Sequence, residues 1–110
     1  MKLFLDTSNN LKSIICLDDQ EFVTNYQSPR DQNVFSALVT ALNQTHSTLA
    51  AITSIQVFTG PGSFTGLRVG ISIANALSLA LNLPINDQPP GTIITPHYGK
   101  PPGITPPKSG

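Results

Sequence analysis

The segment Gly60-Pro61-Gly62-Ser63-Phe64-Thr65-Gly66 is where residue types and spacing most suggest a binding site, because it joins an apolar strand to a long apolar helix. A strand, a glycine-rich turn and a helix N-terminus aim free backbone N–H groups and the positive end of the helix dipole in one direction, an arrangement that favours anions. The spacing does not follow the common phosphate patterns. Gly60, Gly62 and Gly66 form G-x-G-x-x-x-G, one residue longer than the dinucleotide fingerprint, and no Lys followed by Ser or Thr completes a P-loop. Arg68 is the one cation close by, and it suits an interface ion pair better than a phosphate contact. Ser63 and Thr65 have no base in visible reach and read as helix N-caps rather than nucleophiles. His46 and His97 stand on different kinds of segment, and no His-x-x-x-His pair, cysteine cluster or paired carboxylates appear. His46 falls where a cation is tolerated, near a helix C-terminus. Cys16, the single cysteine, sits between Ile15 and Leu17 and reads as a buried, inert thiol. Neither a catalytic constellation nor a metal site is expected.

The elements that hold these residues follow from periodicity. Leu3-Phe4-Leu5 and Ser13 to Leu17 are short β-rich runs separated by Asp6-Thr7-Ser8-Asn9-Asn10, whose asparagine pair suits a hairpin turn. A polar turn at Asp18-Asp19-Gln20 leads to a third strand containing Phe22, Val23 and Tyr26. Ser28-Pro29-Arg30-Asp31 reads as a helix start, with Ser28 as cap and Pro29 in the first helical position. Val34, Phe35, Leu38, Val39, Ala41 and Leu42 continue it to His46. Ser54 to Thr59 alternates as a fourth strand, and a helix is expected from Thr65 to Leu83, ended by Pro84, with a brief return to the sheet near Ile85. The order βββαβα predicts an α/β fold, a mixed sheet with two packed helices.

Composition sets further bounds. Charged residues are 11% of the 110, six basic against six acidic, well below the roughly 25% of an average soluble domain. Direct nucleic-acid binding, which draws on clustered Lys and Arg, is therefore not expected. Asp6 interrupts the N-terminal apolar stretch and argues against a signal peptide, so a cytoplasmic location is expected. The uncharged run from Val69 to Asn86 is broken by Ser72, Asn75, Ser78, Asn82 and Pro84, which favours a buried helix over a membrane span. Seven of the ten prolines lie between Pro89 and Pro107, dividing the chain into a folding unit, 1–86, and a Pro-rich extended tail, 87–110. In that tail Ile93, Ile94, Tyr98 and Ile104 are spaced so that an extended segment can lie along exposed sheet or cleft.

Both helices carry more apolar surface than one stripe. In the second, Gly66, Gly70, Ala74 and Ser78 form a ridge of small residues at steps of four, while Val69, Ile73, Ala76, Leu77 and Ala80 form a bulky stripe. The expectation is that the bulky stripe packs on the sheet and the small ridge meets a neighbouring helix. Apolar area left in water is costly for so small a domain. A partner interface is therefore expected at Val34, Phe35, Leu38, Leu42, Gly66, Arg68, Gly70, Ala74 and Ser78.

The eleven residues from Gly60 to Gly70, Gly60-Pro61-Gly62-Ser63-Phe64-Thr65-Gly66-Leu67-Arg68-Val69-Gly70, resemble the signature of the TsaB family of tRNA threonylcarbamoyladenosine biosynthesis proteins. Leu5-Asp6-Thr7-Ser8 is similar to that family's first loop, and Pro96-His97-Tyr98-Gly99-Lys100-Pro101-Pro102 is a weaker match to its C-terminus. The resemblance covers residues 1 to 86 and departs from the pattern in lacking a second domain before the tail. It implies a single actin-like or ribonuclease-H-like half-domain acting as a non-catalytic partner of TsaD, paired through the two helices. It also implies nucleotide and metal on TsaD rather than on this chain, and TsaE as a candidate third subunit; a homodimer is expected when the chain is alone, because a surface awaiting a similar fold is close to self-complementary. In the actin-like superfamily Asp6 would stand where an acid orients a magnesium-bound water, but one lobe supplies only half a nucleotide cleft. A homodimeric binding module and a residual ATPase half-enzyme are the alternatives.

Overall fold

The computed structural model describes residues 1–97. Three antiparallel strands come first: β1 (Lys2–Asp6), β2 (Lys12–Leu17) and β3 (Gln20–Asn25). Helix α1 (Val34–Gln44), strand β4 (Ser54–Val57) and helix α2 (Phe64–Leu81) complete the order. The sheet order is β3-β2-β1-β4, with β4 parallel to β1 and the other pairs antiparallel. This is the expected βββαβα mixed sheet. A right-handed crossover through α1 is the usual way to bring a strand back parallel to its predecessor.

Alternation along the strands decides which face is dry. Leu3 and Leu5 of β1, Ile15 and Leu17 of β2, and Ile55 and Val57 of β4 are all buried. Each such side chain contributes about 1.5–3 kcal/mol relative to exposure. Both helices lie over this face, α1 against β2 and α2 against β4 and β1. The opposite face carries Phe4, Ile14 and Cys16, half-buried, and Val23, exposed, bordered by Lys12, Asp6, Glu21 and Gln56.

Two local boundaries and the burial of one side chain differ from the sequence expectation. The helix start at Ser28 is a single 3-10 turn, Pro29–Asp31, in which Ser28 makes no side-chain cap. Gln32 then extends, and Asn33 caps α1 by accepting a hydrogen bond from Ser36 N at 3.0 Å. The apolar periodicity begins only at Val34, so helix upstream would bury nothing. At the other end, α2 stops at Asn82 in the left-handed conformation (φ 57°), before Pro84 can act. Cys16 is half-buried rather than buried, because it belongs to the face of the sheet that the helices leave uncovered.

The largest correction concerns α2. Its buried residues are Gly66, Leu67, Gly70, Ile71, Ala74, Leu77 and Ser78, so the small ridge expected to meet a partner faces the chain's own sheet. Of the bulky stripe only Leu77 is buried, while Val69 and Ile73 are half-buried and Ala76 and Ala80 are exposed. In α1, Val34, Leu38 and Leu42 are likewise core residues. Among the nine residues expected at a partner interface, Phe35 and Arg68 stay exposed. By length and composition alone α2 is apolar enough to cross a membrane, but here its buried face packs on β1 and β4.

The residues after α2 close the β4 edge of the sheet. Ile85 bridges Ile55 in parallel, and the Asn86 side-chain amide accepts from Val57 N (2.8 Å) and donates to Val57 O (3.1 Å). Hydrogen bonding continues beyond Asn86 as far as His97 N, which donates to Thr59 O at 2.6 Å. The tail positions Tyr98, Gly99, Lys100, Pro101, Pro102 and Ile104 lie outside the described residues.

Candidate functional site

The signature loop and the start of α2 are packed against the β1–β2 loop by three glycines, and a fourth faces the segment at His97. A Cβ at Gly62 would run into Ser8, at Gly66 into the Thr7 carbonyl, and at Gly70 into the Thr7 side chain. Gly60, with φ at 123°, holds a conformation that favours glycine and has the His97 carbonyl against its vacant side. The small ridge is therefore a device for close approach of α2 to β1, not a surface awaiting a second protein.

Thr7 ties the two loops together. Its hydroxyl, 1% exposed, donates to Gly66 O at 2.6 Å and accepts from Gly70 N at 3.1 Å. Ser63 N donates to Ser8 O at 2.8 Å, and the Ser63 hydroxyl caps α2 by accepting from Gly66 N at 3.2 Å. Asp6 accepts from Ser8 N (3.0 Å) and from the Ser8 hydroxyl (2.7 Å), which fixes the first turn after β1. Ser63 is thus the N-cap of α2, whereas Thr65, also expected as a cap, is the second residue of the helix; Pro61, Phe64 and Thr65 are exposed. Sequence reasoning placed Asp6, Thr7 and Ser8 in the first loop without giving Thr7 this role; the available signal was a hydroxyl directly after an apolar strand, opposite a ridge without side chains.

On the solvent side of the helices, Phe35 (48% exposed) and Val39 (38%) are one turn apart on α1. Phe64 (56%) opens α2, with the Arg68 guanidinium 5.4 Å from its ring centroid. That contact holds the cation over an aromatic face. Among the described residues no group of three His, Cys, Asp or Glu gathers in a way that could hold a metal.

Burial pushes the Cys16 thiol above its ordinary range, and the negative charge of Glu21, its neighbour across β2 and β3, adds to the effect. The fold therefore favours the protonated thiol. Its contribution to stability is present below the unfolded thiol's pKa and is lost as pH rises through the folded value. Alkylation by iodoacetamide should show a higher pH midpoint in the native chain than in the chain unfolded in urea; an equal or lower native midpoint would contradict this environment.

The sheet order, the two helices on one face and the glycine loop after β4 define an actin-like, ribonuclease-H-like half-domain. Solved YeaZ from Pseudomonas aeruginosa superposes with a TM-score of 0.63 at 27% identity, over 76% of this chain and 42% of that one. The family model described as TsaD, tRNA N6-adenosine threonylcarbamoyltransferase, matches residues 30–87. The chain belongs to this family, on its TsaB/YeaZ branch. The tRNA threonylcarbamoyladenosine biosynthesis protein TsaB of Bacillus subtilis is 31% identical over 88 residues, covering 76% of this chain and 38% of the relative. Its counterpart in Escherichia coli is 31% identical over 86 residues, covering 76% and 37%. The chain thus spans about two fifths of the length of the curated relatives it matches.

Proposed function

We propose that this chain is a non-catalytic supporting subunit in the threonylcarbamoyladenosine modification of tRNA, and that it binds TsaD through the solvent sides of α1 and α2. The observation that carries the reading is the placement of Phe35, Val39 and Phe64, large apolar side chains left exposed on two helices that share one face of the sheet. Exposed aromatics with an adjacent arginine are the residue types that dominate protein interfaces. Family membership favours TsaD as the partner, and the sparse charge of the chain favours contact with tRNA through that partner rather than directly. Nucleotide and metal chemistry falls to TsaD in this reading, and the site of action is the cytoplasm.

Mixing the purified chain with TsaD, with complex formation followed by calorimetry and sedimentation, tests the proposal. A one-to-one complex that stimulates threonylcarbamoylation of tRNA in a reconstituted assay is the expected result. A chain that ignores TsaD, or a homodimer that persists unchanged in its presence, overturns it.

A further inference from the structure

Residues 89–97 run back along α2 from its C-terminal half to the glycine loop. Gly91 N donates to the Ser78 hydroxyl at 3.0 Å near the start of this path, and His97 N bonds to Thr59 O at its end. Midway, the Asn75 side-chain amide grips both backbone groups of Ile94, accepting from Ile94 N at 2.9 Å and donating to Ile94 O at 3.0 Å. Ile94 packs against the hydrophobic core, while Ile93 points outward at 67% exposure. These few anchors differ in kind from the continuous ladder of the sheet. A segment with few apolar contacts and few hydrogen bonds opens at lower free energy than the core it rests on. Pro89, Pro90 and Pro96 limit the freedom that the segment gains on opening.

The place it covers is specific. Along the outer edge of β4, Ile55 is paired through its bridge to Ile85 and Val57 through the Asn86 amide, while among the described residues the Thr59 carbonyl just beyond is paired through His97. An uncovered edge is a template for another strand. We propose that residues 89–97 form a strap that opens and closes as a unit, with Asn75 as its catch, and that the closed strap guards the end of the β4 edge and the flank of Gly60. This property stands independently of the partner proposed above.

Native-state hydrogen exchange on the full chain tests it without any variant. The amides of Gly91, Ile94 and His97 should be protected, yet exchange through an opening less sensitive to urea than that of Leu5 and Ile15 in the sheet. In Asn75→Ala, Ile94 and His97 amides should exchange about 10-fold faster or more, with sheet amides unchanged. In the natural chain, strap amides that exchange only with global unfolding, or that show no protection at all, overturn the proposal. Loss of sheet protection in Asn75→Ala, matched to that of the strap, would equally show that Asn75 supports the fold and is not a catch.

Discussion

A chain carrying Phe35→Asp together with Phe64→Asp is expected to bind TsaD roughly 100-fold more weakly than the natural chain, with its unfolding midpoint almost unchanged. Each aromatic is about half exposed, so replacing it removes little from the core, and surface changes of this kind usually stay within about 0.5 kcal/mol. In a complex both rings would be desolvated, and truncating a central aromatic anchor typically costs about 2 kcal/mol or more. A carboxylate in its place adds an unpaired charge to an apolar contact. Phe64→Asp also removes the ring beneath Arg68, leaving the guanidinium free to pair with the new acid, so Phe35→Asp should be the cleaner of the two single variants. Calorimetric titration of the double variant, beside urea unfolding of the same preparation, checks the prediction. Full affinity in a folded double variant would remove α1 and α2 from the interface.

Gly66→Ala should act in the opposite way, lowering stability by about 3 kcal/mol while altering no exposed surface. Alanine is the better helix former by about 1 kcal/mol, and at an exposed helical glycine that gain would show. At Gly66 the added methyl meets the Thr7 carbonyl, part of a backbone segment already fixed by the Thr7 hydroxyl bond to Gly66 O. A backbone oxygen cannot swing aside as a flexible side chain would. Relief requires α2 to move off β1, loosening Leu67 and Ile71, both core residues. For a domain worth on the order of 5–15 kcal/mol this is a large fraction. Urea denaturation should show a lower midpoint at unchanged slope, and Ser72→Ala, at an exposed position of the same helix, is the control expected to change little.

Both predictions turn on which side of α2 faces inward, and that is where the sequence was least decisive. Two apolar stripes were visible on it, one of small residues and one of bulky residues. Periodicity identifies stripes but does not rank them. The ranking depends on how closely α2 approaches β1, and at Gly66 and Gly70 there is no room beside Thr7 for even a Cβ. A bulky stripe cannot enter so narrow a gap, so Val69 and Ile73 were turned to the flank and the glycines inward. The exposure of Phe35 beside buried Val34 and Leu38 has a similar origin, because α1 presents only one side to β2.

The helix start near Ser28 shows the same limit at a smaller scale. Ser-Pro-x-Asp is a sound local signal for an N-terminus, and it did produce a turn, Pro29–Asp31. The helix itself waited for Asn33, where a second cap coincides with the first residue that the core can use. Local preference chose the type of structure there, and burial chose its position. Nor did the tail's proline content reveal that Asn75 would hold Ile94, since residues 19 apart in sequence carry no periodic mark of their meeting.

By itself the sequence determined the number, kind and order of the elements, the mixed sheet, the glycine loop between β4 and α2, and the family to which that loop points. These are consequences of short-range spacing, of period 2, of period 3.6 and of glycine placement, and they need no knowledge of distant contacts. Only the tertiary structure decided that the small ridge is an internal seam, that Phe35 and Phe64 are among the side chains the helices leave outside, that Ile85 and Asn86 close the β4 edge, and that residues 89–97 return along α2 to the glycine loop. Those outcomes depend on how closely two surfaces approach, which is fixed by the packing of the whole domain rather than by the identity of any one stretch of chain.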